Sequence, residues 1–208
     1  MFENILHDIR TPLTLIDGPI QLMKQNQGIP QQEQLLLVER NSKKLTLLVD
    51  ELLDASKLGR GNFELEHVSG DVNGFIADIV DSFHSEAQSK SIRITNNQNQ
   101  TGNYCSFPSN ALEKILSNLI SNAVKHCPPG SEIHITSEIS DSQLVVQVCD
   151  TGTGIPKNEQ KKVFRRFFRG QNAAENGTGI GLALVKELVD LANGTIALRC
   201  ESCQRCPQ

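Results

Sequence analysis

The chain has 208 residues, 38% of them apolar and 21% charged, with a formal net charge of -4. That is ordinary composition for one large or two small folded domains, and its acidic balance argues against generic nucleic-acid binding, so any anionic ligand needs a local basic patch. No apolar run is long enough to cross a bilayer and no signal-peptide pattern opens the chain, so these residues read as a soluble, cytoplasmic piece.

Phe2, Leu6, Ile9, Leu13, Ile16, Ile20 and Met23 recur at alternating steps of four and three, the seam of a bundle helix. The pattern ignores Pro12, although proline removes an amide donor and crowds the carbonyl four residues back. NQGIPQQ supplies turn residues, after which Val38, Leu45, Leu48, Leu52 and Ala55 resume a seam with Asn41 as its polar member. Two antiparallel helices follow. A lone hairpin encloses no core, whereas two hairpins pair into a four-helix bundle, so the pattern predicts a homodimer. The seam is already running at Met1, which implies a missing upstream helical part.

After Gly59, Arg60 and Gly61 the pattern alternates between strands and helices, which places a domain boundary there, with residues 1–60 before it and 61–208 after it. FELEHV reads as a strand, Val72 to Ala87 as a helix, and SIRIT as a strand before the polar loop NNQNQTGN. A helix from about Asn110 to His126 opens with an Asn-x-x-Glu capping pattern, Asn110 with Glu113. EIHITSEI and QLVVQVCD read as a hairpin, a last helix runs from Gly179 or Gly181 to about Leu191, and GTIALR reads as a final strand. The fold class is α+β.

Several groups have the chemistry of a site. Asn118, Asn122 and Lys125 stand at i, i+4 and i+7, so two amides and an ammonium share one helix face. An amide oxygen suits magnesium, and lysine neutralises phosphate; a solvated polar stripe is the plainer alternative. In DTGTGIP, Asp150 ends an apolar strand, and Gly152 and Gly154 allow a sharp turn. Such a carboxylate accepts a hydrogen bond from an exocyclic amine such as that of adenine. In NGTGIGLAL, Gly177, Gly179 and Gly181 lead into a helix, exposing amides that favour phosphate. This is neither a Walker loop nor a Rossmann fingerprint, because Leu182 stands where the third glycine would be. Between these loops lie Lys157, Lys161, Lys162, Arg165, Arg166 and Arg169, with Phe164, Phe167 and Phe168 as core anchors. Guanidinium groups suit phosphate recognition. Cys200, Cys203 and Cys206 form a CxxCxxC array with no fourth ligand nearby; Cys105, Cys127 and Cys149 lie in or beside apolar segments and read as small buried hydrophobes.

Together LHDIRTPLT, NLISNAVKH, DTGTGIP, VFRRFFRG and NGTGIGLAL resemble, in order, the phosphoacceptor, N, first glycine, phenylalanine and second glycine boxes of a sensor histidine kinase of two-component signalling. RTPLTLIDGP and RNSKKLTLLVDELLD are most similar to large hybrid sensors. The resemblance implies a helical hairpin that forms a four-helix bundle in the dimer, followed by a two-layer α/β sandwich that binds ATP (Bergerat, or GHKL, type). By position, it implies that His7 accepts the γ-phosphoryl group. Asp8 would orient it and Thr11 would hold a water for the reverse, phosphatase reaction. Asn122 would hold magnesium beside Asn118, and Lys125 would touch phosphate. Asp150 with Gly152 and Gly154 would read adenine, near His126. Gly177, Thr178, Gly179, Gly181 and Leu182 would form the mobile lid, with Arg169 near the phosphates.

ATP and Mg2+ are the implied cofactors, and a receiver domain, in cis or in trans, is the implied partner. A membrane would be reached only through a missing upstream sensor region, which makes the chain a cytoplasmic fragment of a membrane-anchored sensor. The tail RCESCQRCPQ departs from the resemblance, which reads as truncation. Two alternatives stand beside the autokinase: a nucleotide-binding dimeric scaffold without phosphotransfer, and an ATPase of gyrase or chaperone type. Pro12 would loosen the turn bearing Asp8 and His7, acting as a hinge.

Overall fold

The computed structural model describes residues 2–24, 31–98, 104–140, 143–170 and 178–199. The chain opens with two packed helices, α1 (Phe2–Lys24) and α2 (Gln31–Gly59). On α2 the seam is as the pattern predicts: Asn41, Leu48 and Ala55 are buried, with Val38, Leu45 and Leu52 half-buried between them. Asn41 Nδ2 donates to Leu37 O at 2.8 Å, so the polar seam residue is satisfied within its own helix.

On α1 the stripe facing α2 differs from the expected one. Pro12 and Pro19 are buried, flanked by half-buried Ile9, Ile16 and Met23, whereas Leu6 and Leu13 are 56% and 47% exposed. The sequence period marks apolar positions without saying what covers them, and within one chain the proline rings take the inner positions. Exposed Leu15, Leu22, Leu47 and Leu53 extend the uncovered apolar surface.

The remainder comprises β1 (His67–Asp71), α3 (Val72–Ser82), α4 (His84–Ser89), β2 (Arg93–Gln98), β3 (Tyr104–Pro108), α5 (Ser109–His126), β4 (Glu132–Ser140), β5 (Gln143–Asp150) and α6 (Gly181–Leu191). β1 and β3 pair antiparallel; the other sheet has the order β2-β4-β5, with β2 parallel and β5 antiparallel to β4. Ile94, Ile133 and Ile135 of this sheet meet Ile76 and Val80 of α3 and Leu116, Ile120 and Val124 of α5 in the main core. A second cluster joins Ala111 of α5 to Leu184 and Leu188 of α6, with Leu58, Phe63, Leu65 and Ile115 packed against it. Leu58 carries the end of the hairpin into this cluster.

Several boundaries move for local reasons. FELEHV is not a strand until His67: Phe63 and Leu65 pack on α5 and α6, and the backbone of this stretch is held by a side chain. Asn110 Nδ2 donates to Glu64 O (2.9 Å) and its Oδ1 accepts from Glu66 N (3.1 Å), so Asn110 clips the connector instead of capping α5, whose cap residue is Pro108. The helix expected to end at Ala87 breaks at Phe83, where the Phe83 amide turns back to Val80 O at 3.0 Å. β2 starts only at Arg93, since Ser91 has φ +58° and Ile92 N still donates to Ala87 O. β3 falls in a stretch with no strand expectation. GTIALR forms no strand; nearly all of it is exposed, and a segment with no buried face has nothing to fix its register. Phe164, Phe167 and Phe168 are half-buried and stand outside both clusters. Among the described residues no helix is long and apolar enough to cross a membrane.

Candidate functional site

The core face of α5 uses Leu112, Leu116, Ile120 and Val124, which leaves Asn118 and Asn122 half-buried on another face and Lys125 exposed at the helix end. Asn118 Nδ2 donates to Lys114 O at 2.8 Å, which directs its Oδ1 outward from α5. A Cβ added at Gly181 would stand 2.5 Å from Asn118 Oδ1 and 3.9 Å from Asn122 Nδ2, so the first turn of α6 closes on these amides and only glycine leaves the space open. Ile180 caps α6 without any side-chain hydrogen bond, so the first-turn amides are left for another acceptor. Leu182 is half-buried beside them.

Asp150 lies at the end of β5, opposite Ile133 of β4, and meets the end of α5. Its Oδ1 accepts from Gly152 N at 2.9 Å and from Cys127 Sγ at 3.7 Å. Burial, and next the Asp150 charge, push the Cys127 thiol up to about 11. His126 is held below its ordinary value by partial burial and by Lys125, with Asp150 opposing. The ring is therefore neutral near pH 7. Gly154 turns the following loop at φ +68°.

The segment before α6 is held from two sides. Gly179 has φ +68°, and a Cβ there would lie 2.8 Å from Phe168 O, while Gly179 O accepts from Phe167 N at 2.8 Å. Thr178 Oγ1 accepts from Ile180 N at 3.1 Å and donates to Glu51 Oε2 on α2 at 2.7 Å. Asp8 and Ile9 of α1, Leu48 and Leu52 of α2, and Thr178 and Ile180 line one small crevice. This brings the Asp8 turn to the glycine segment. Thr11 is exposed one turn on. The His7 backbone lies in α1, but its side chain, Gly177 and the three tail cysteines are outside the described residues.

The basic run divides. Arg166 makes a two-pronged pair with Glu187 of α6 (2.6 and 2.6 Å) and donates to Ala55 O of α2 at 3.2 Å, so it joins α6 to the hairpin. Arg169, Lys157, Lys161 and Lys162 are exposed. Lys114 of α5 pairs with Asp54 of α2 at 2.5 Å. Sequence patterns missed Glu51, Asp54, Lys114 and Glu187, since each partner lies on a distant element. Among the described residues no three His, Cys, Asp or Glu side chains are grouped to hold a metal. The Asn118 and Asn122 amides beside Gly181 do fit a divalent ion that keeps water and phosphate oxygens as its other ligands.

Two family descriptions match the chain: “His Kinase A (phospho-acceptor) domain” over residues 1–61, and “Histidine kinase-, DNA gyrase B-, and HSP90-like ATPase” over residues 108–206. Histidine kinase P4 of Formosa agariphila is 32% identical over 205 residues, which cover 95% of this chain and 15% of that protein. The chain therefore spans a small part of that relative. The fold is similar to that of histidine kinase AdeS of Acinetobacter baumannii, with a TM-score of 0.70 at 21% identity, covering 88% of this chain and 86% of that one. It is also similar to histidine kinase ThkA, solved in complex with the response regulator protein TrrA, with a TM-score of 0.67 at 22% identity, covering 93% of this chain and 55% of that one.

Proposed function

Since this chain belongs to the sensor histidine kinase family, we propose that it is an ATP-dependent protein-histidine kinase acting through His7. The observation that carries this reading is the crevice in which the Asp8 turn meets Thr178 and Ile180, because transfer requires the acceptor turn and the phosphate-binding segment to approach one another.

In this reading Asp150 accepts a hydrogen bond from the adenine amine, and neutral His126 stands where a ring can stack. Lys125, Arg169, the glycine segment from Gly177 through Leu182 and the uncapped start of α6 hold the phosphates. Asn122, beside Asn118, holds magnesium, which when bound neutralises phosphate oxygens. The His7 ring attacks the γ-phosphorus through the ring nitrogen that carries no proton. A nitrogen–phosphorus bond forms, the bond to the bridging oxygen breaks, and ADP leaves. Asp8 accepts from the other ring nitrogen and supports the charge that develops there. The phosphoryl group then passes to an aspartate of a receiver domain; ThkA, of similar fold, is bound to a response regulator. Thr11 orients the water of the phosphatase reaction. Exposed Leu6, Leu13, Leu47 and Leu53 support a homodimer in which a second hairpin covers them. In the same proposal the chain lies on the cytoplasmic side of a membrane-anchored sensor.

Incubation with γ-labelled ATP and magnesium tests the assignment. Wild type should gain acid-labile, base-stable label and His7→Gln should gain none. Label persisting in His7→Gln would overturn the role of His7, and nucleotide binding without label in wild type would leave a dimeric scaffold as the function.

A further inference from the structure

The carboxylate of Asp150 is not a free rotor at a strand end. One of its oxygens, Oδ1, takes two donors from different elements, the Gly152 amide at 2.9 Å and the Cys127 thiol at 3.7 Å. Cys127 is itself fixed, because its amide donates to Ala123 O at 2.9 Å and its side chain belongs to the main core. Space is tight on the Gly152 side of the group. A Cβ at Gly152 would come within 2.7 Å of Asp150 Oδ1, 3.2 Å of Cys127 Sγ and 3.5 Å of His126 O. Because the thiol ionises only at about 11, it stays protonated and donates throughout the neutral range. Among the described residues both of these donors go to Oδ1, which leaves Oδ2 as the oxygen able to accept from a donor outside the chain.

We propose that Cys127 is a positioning residue for base selection: its thiol and the Gly152 amide fix Asp150 so that Oδ2 meets an exocyclic amine, which admits adenine nucleotides and rejects guanine nucleotides. This rests on the reading of Asp150 as the adenine contact. Adenine presents an N–H donor where guanine presents a carbonyl oxygen, and a carboxylate held in place repels that oxygen, whereas one free to turn relaxes away from it. Discrimination therefore depends on how firmly Oδ1 is held, and Cys127 is the donor that comes from a different element.

The test uses the full chain and compares Cys127→Val, of similar bulk but without a donor, with Cys127→Thr, which has the same shape and a hydroxyl. Affinities for ATP and for GTP are measured beside thermal unfolding. Loss of one hydrogen bond to a charged group predicts that Cys127→Val lowers the ATP-over-GTP preference roughly five- to tenfold. Cys127→Thr should stay within about twofold of wild type, with both variants melting alike. An unchanged preference in Cys127→Val, or an equal loss in both variants, overturns the proposal. Asp150→Asn separates the two layers. If it abolishes the preference while Cys127→Val does not, only the positioning role fails; if it leaves ATP affinity unchanged, the adenine contact fails and the positioning role with it.

Discussion

Thr178 Oγ1 donates a 2.7 Å hydrogen bond to Glu51 Oε2, which ties the segment entering α6 to the hairpin helix α2. Burial raises the Glu51 pKa above its ordinary 4.5, against the opposing effects of the Thr178 hydrogen bond and Lys125, with Asp54 adding to the rise. A carboxyl group whose folded pKa is raised contributes stability that is fully present below pH 4.5 and is lost as pH climbs through the folded value. Glu51→Gln keeps an acceptor for Thr178 and removes this dependence. Melting curves from pH 4 to pH 8 should show wild type losing stability relative to Glu51→Gln as pH rises. Thr178→Val leaves the half-buried carboxylate without its hydroxyl and should cost about 1–3 kcal/mol near pH 7.

Gly179 tests the glycine segment. Alanine there would meet Phe168 O at 2.8 Å and Phe167 C at 2.9 Å, in a backbone conformation with φ +68°. Backbone atoms do not yield as a flexible side chain does, so the segment must shift, at a cost of about 1–3 kcal/mol. Titration with ATP should show Gly179→Ala binding at least roughly tenfold more weakly, while far-ultraviolet circular dichroism stays unchanged.

These two residues differ in how far the sequence announces them. Gly179 is legible because closely spaced glycines before a helix have few other uses. Glu51 is not, since it reads as one more charge on a helix until Thr178, 127 positions away, is placed against it. The same limit explains Asn110, whose capping pattern with Glu113 is correct by local rules yet gives way to backbone groups 44 and 46 residues upstream. Arg166 belongs to a basic run that local chemistry assigns to phosphate, but Glu187 and Ala55 O claim it. On α2 the period and the burial agree, because the helix presents one face to α1. On α1 they part, because the period counts every apolar position and a single chain covers only some of them.

The uncovered leucines give the dimer a direct test. Leu13 is 47% exposed on α1 and Leu47 is 65% exposed on α2. Burying a leucine is worth roughly 1.5–3 kcal/mol, and twofold symmetry doubles each contribution. Leu13→Asp with Leu47→Asp should convert a dimer into a monomer in sedimentation experiments. Their ATP affinity should remain within about twofold of wild type, since both side chains are exposed and neither lines the crevice with Thr178 and Ile180. A dimer that survives both substitutions places its interface elsewhere.

Pro12 separates stability from function by sign. Its ring is buried on α1, and Pro12→Ala removes about two methylenes of buried surface, a loss of roughly 1.6 kcal/mol. The same substitution restores an amide for the Asp8 carbonyl and a helix-favouring residue, a gain of about 3 kcal/mol. Helix propensity is the larger effect, so Pro12→Ala should raise the melting temperature. If the missing amide lets the His7 turn bend toward the glycine segment, the same variant should transfer phosphate several-fold more slowly. Pro19→Ala supplies the control, because Pro19 is also buried in α1 but lies one heptad farther from His7. It should gain stability and keep the transfer rate. Equal rates in wild type and both variants, alongside higher melting temperatures, would reduce Pro12 to a packing residue of the hairpin seam.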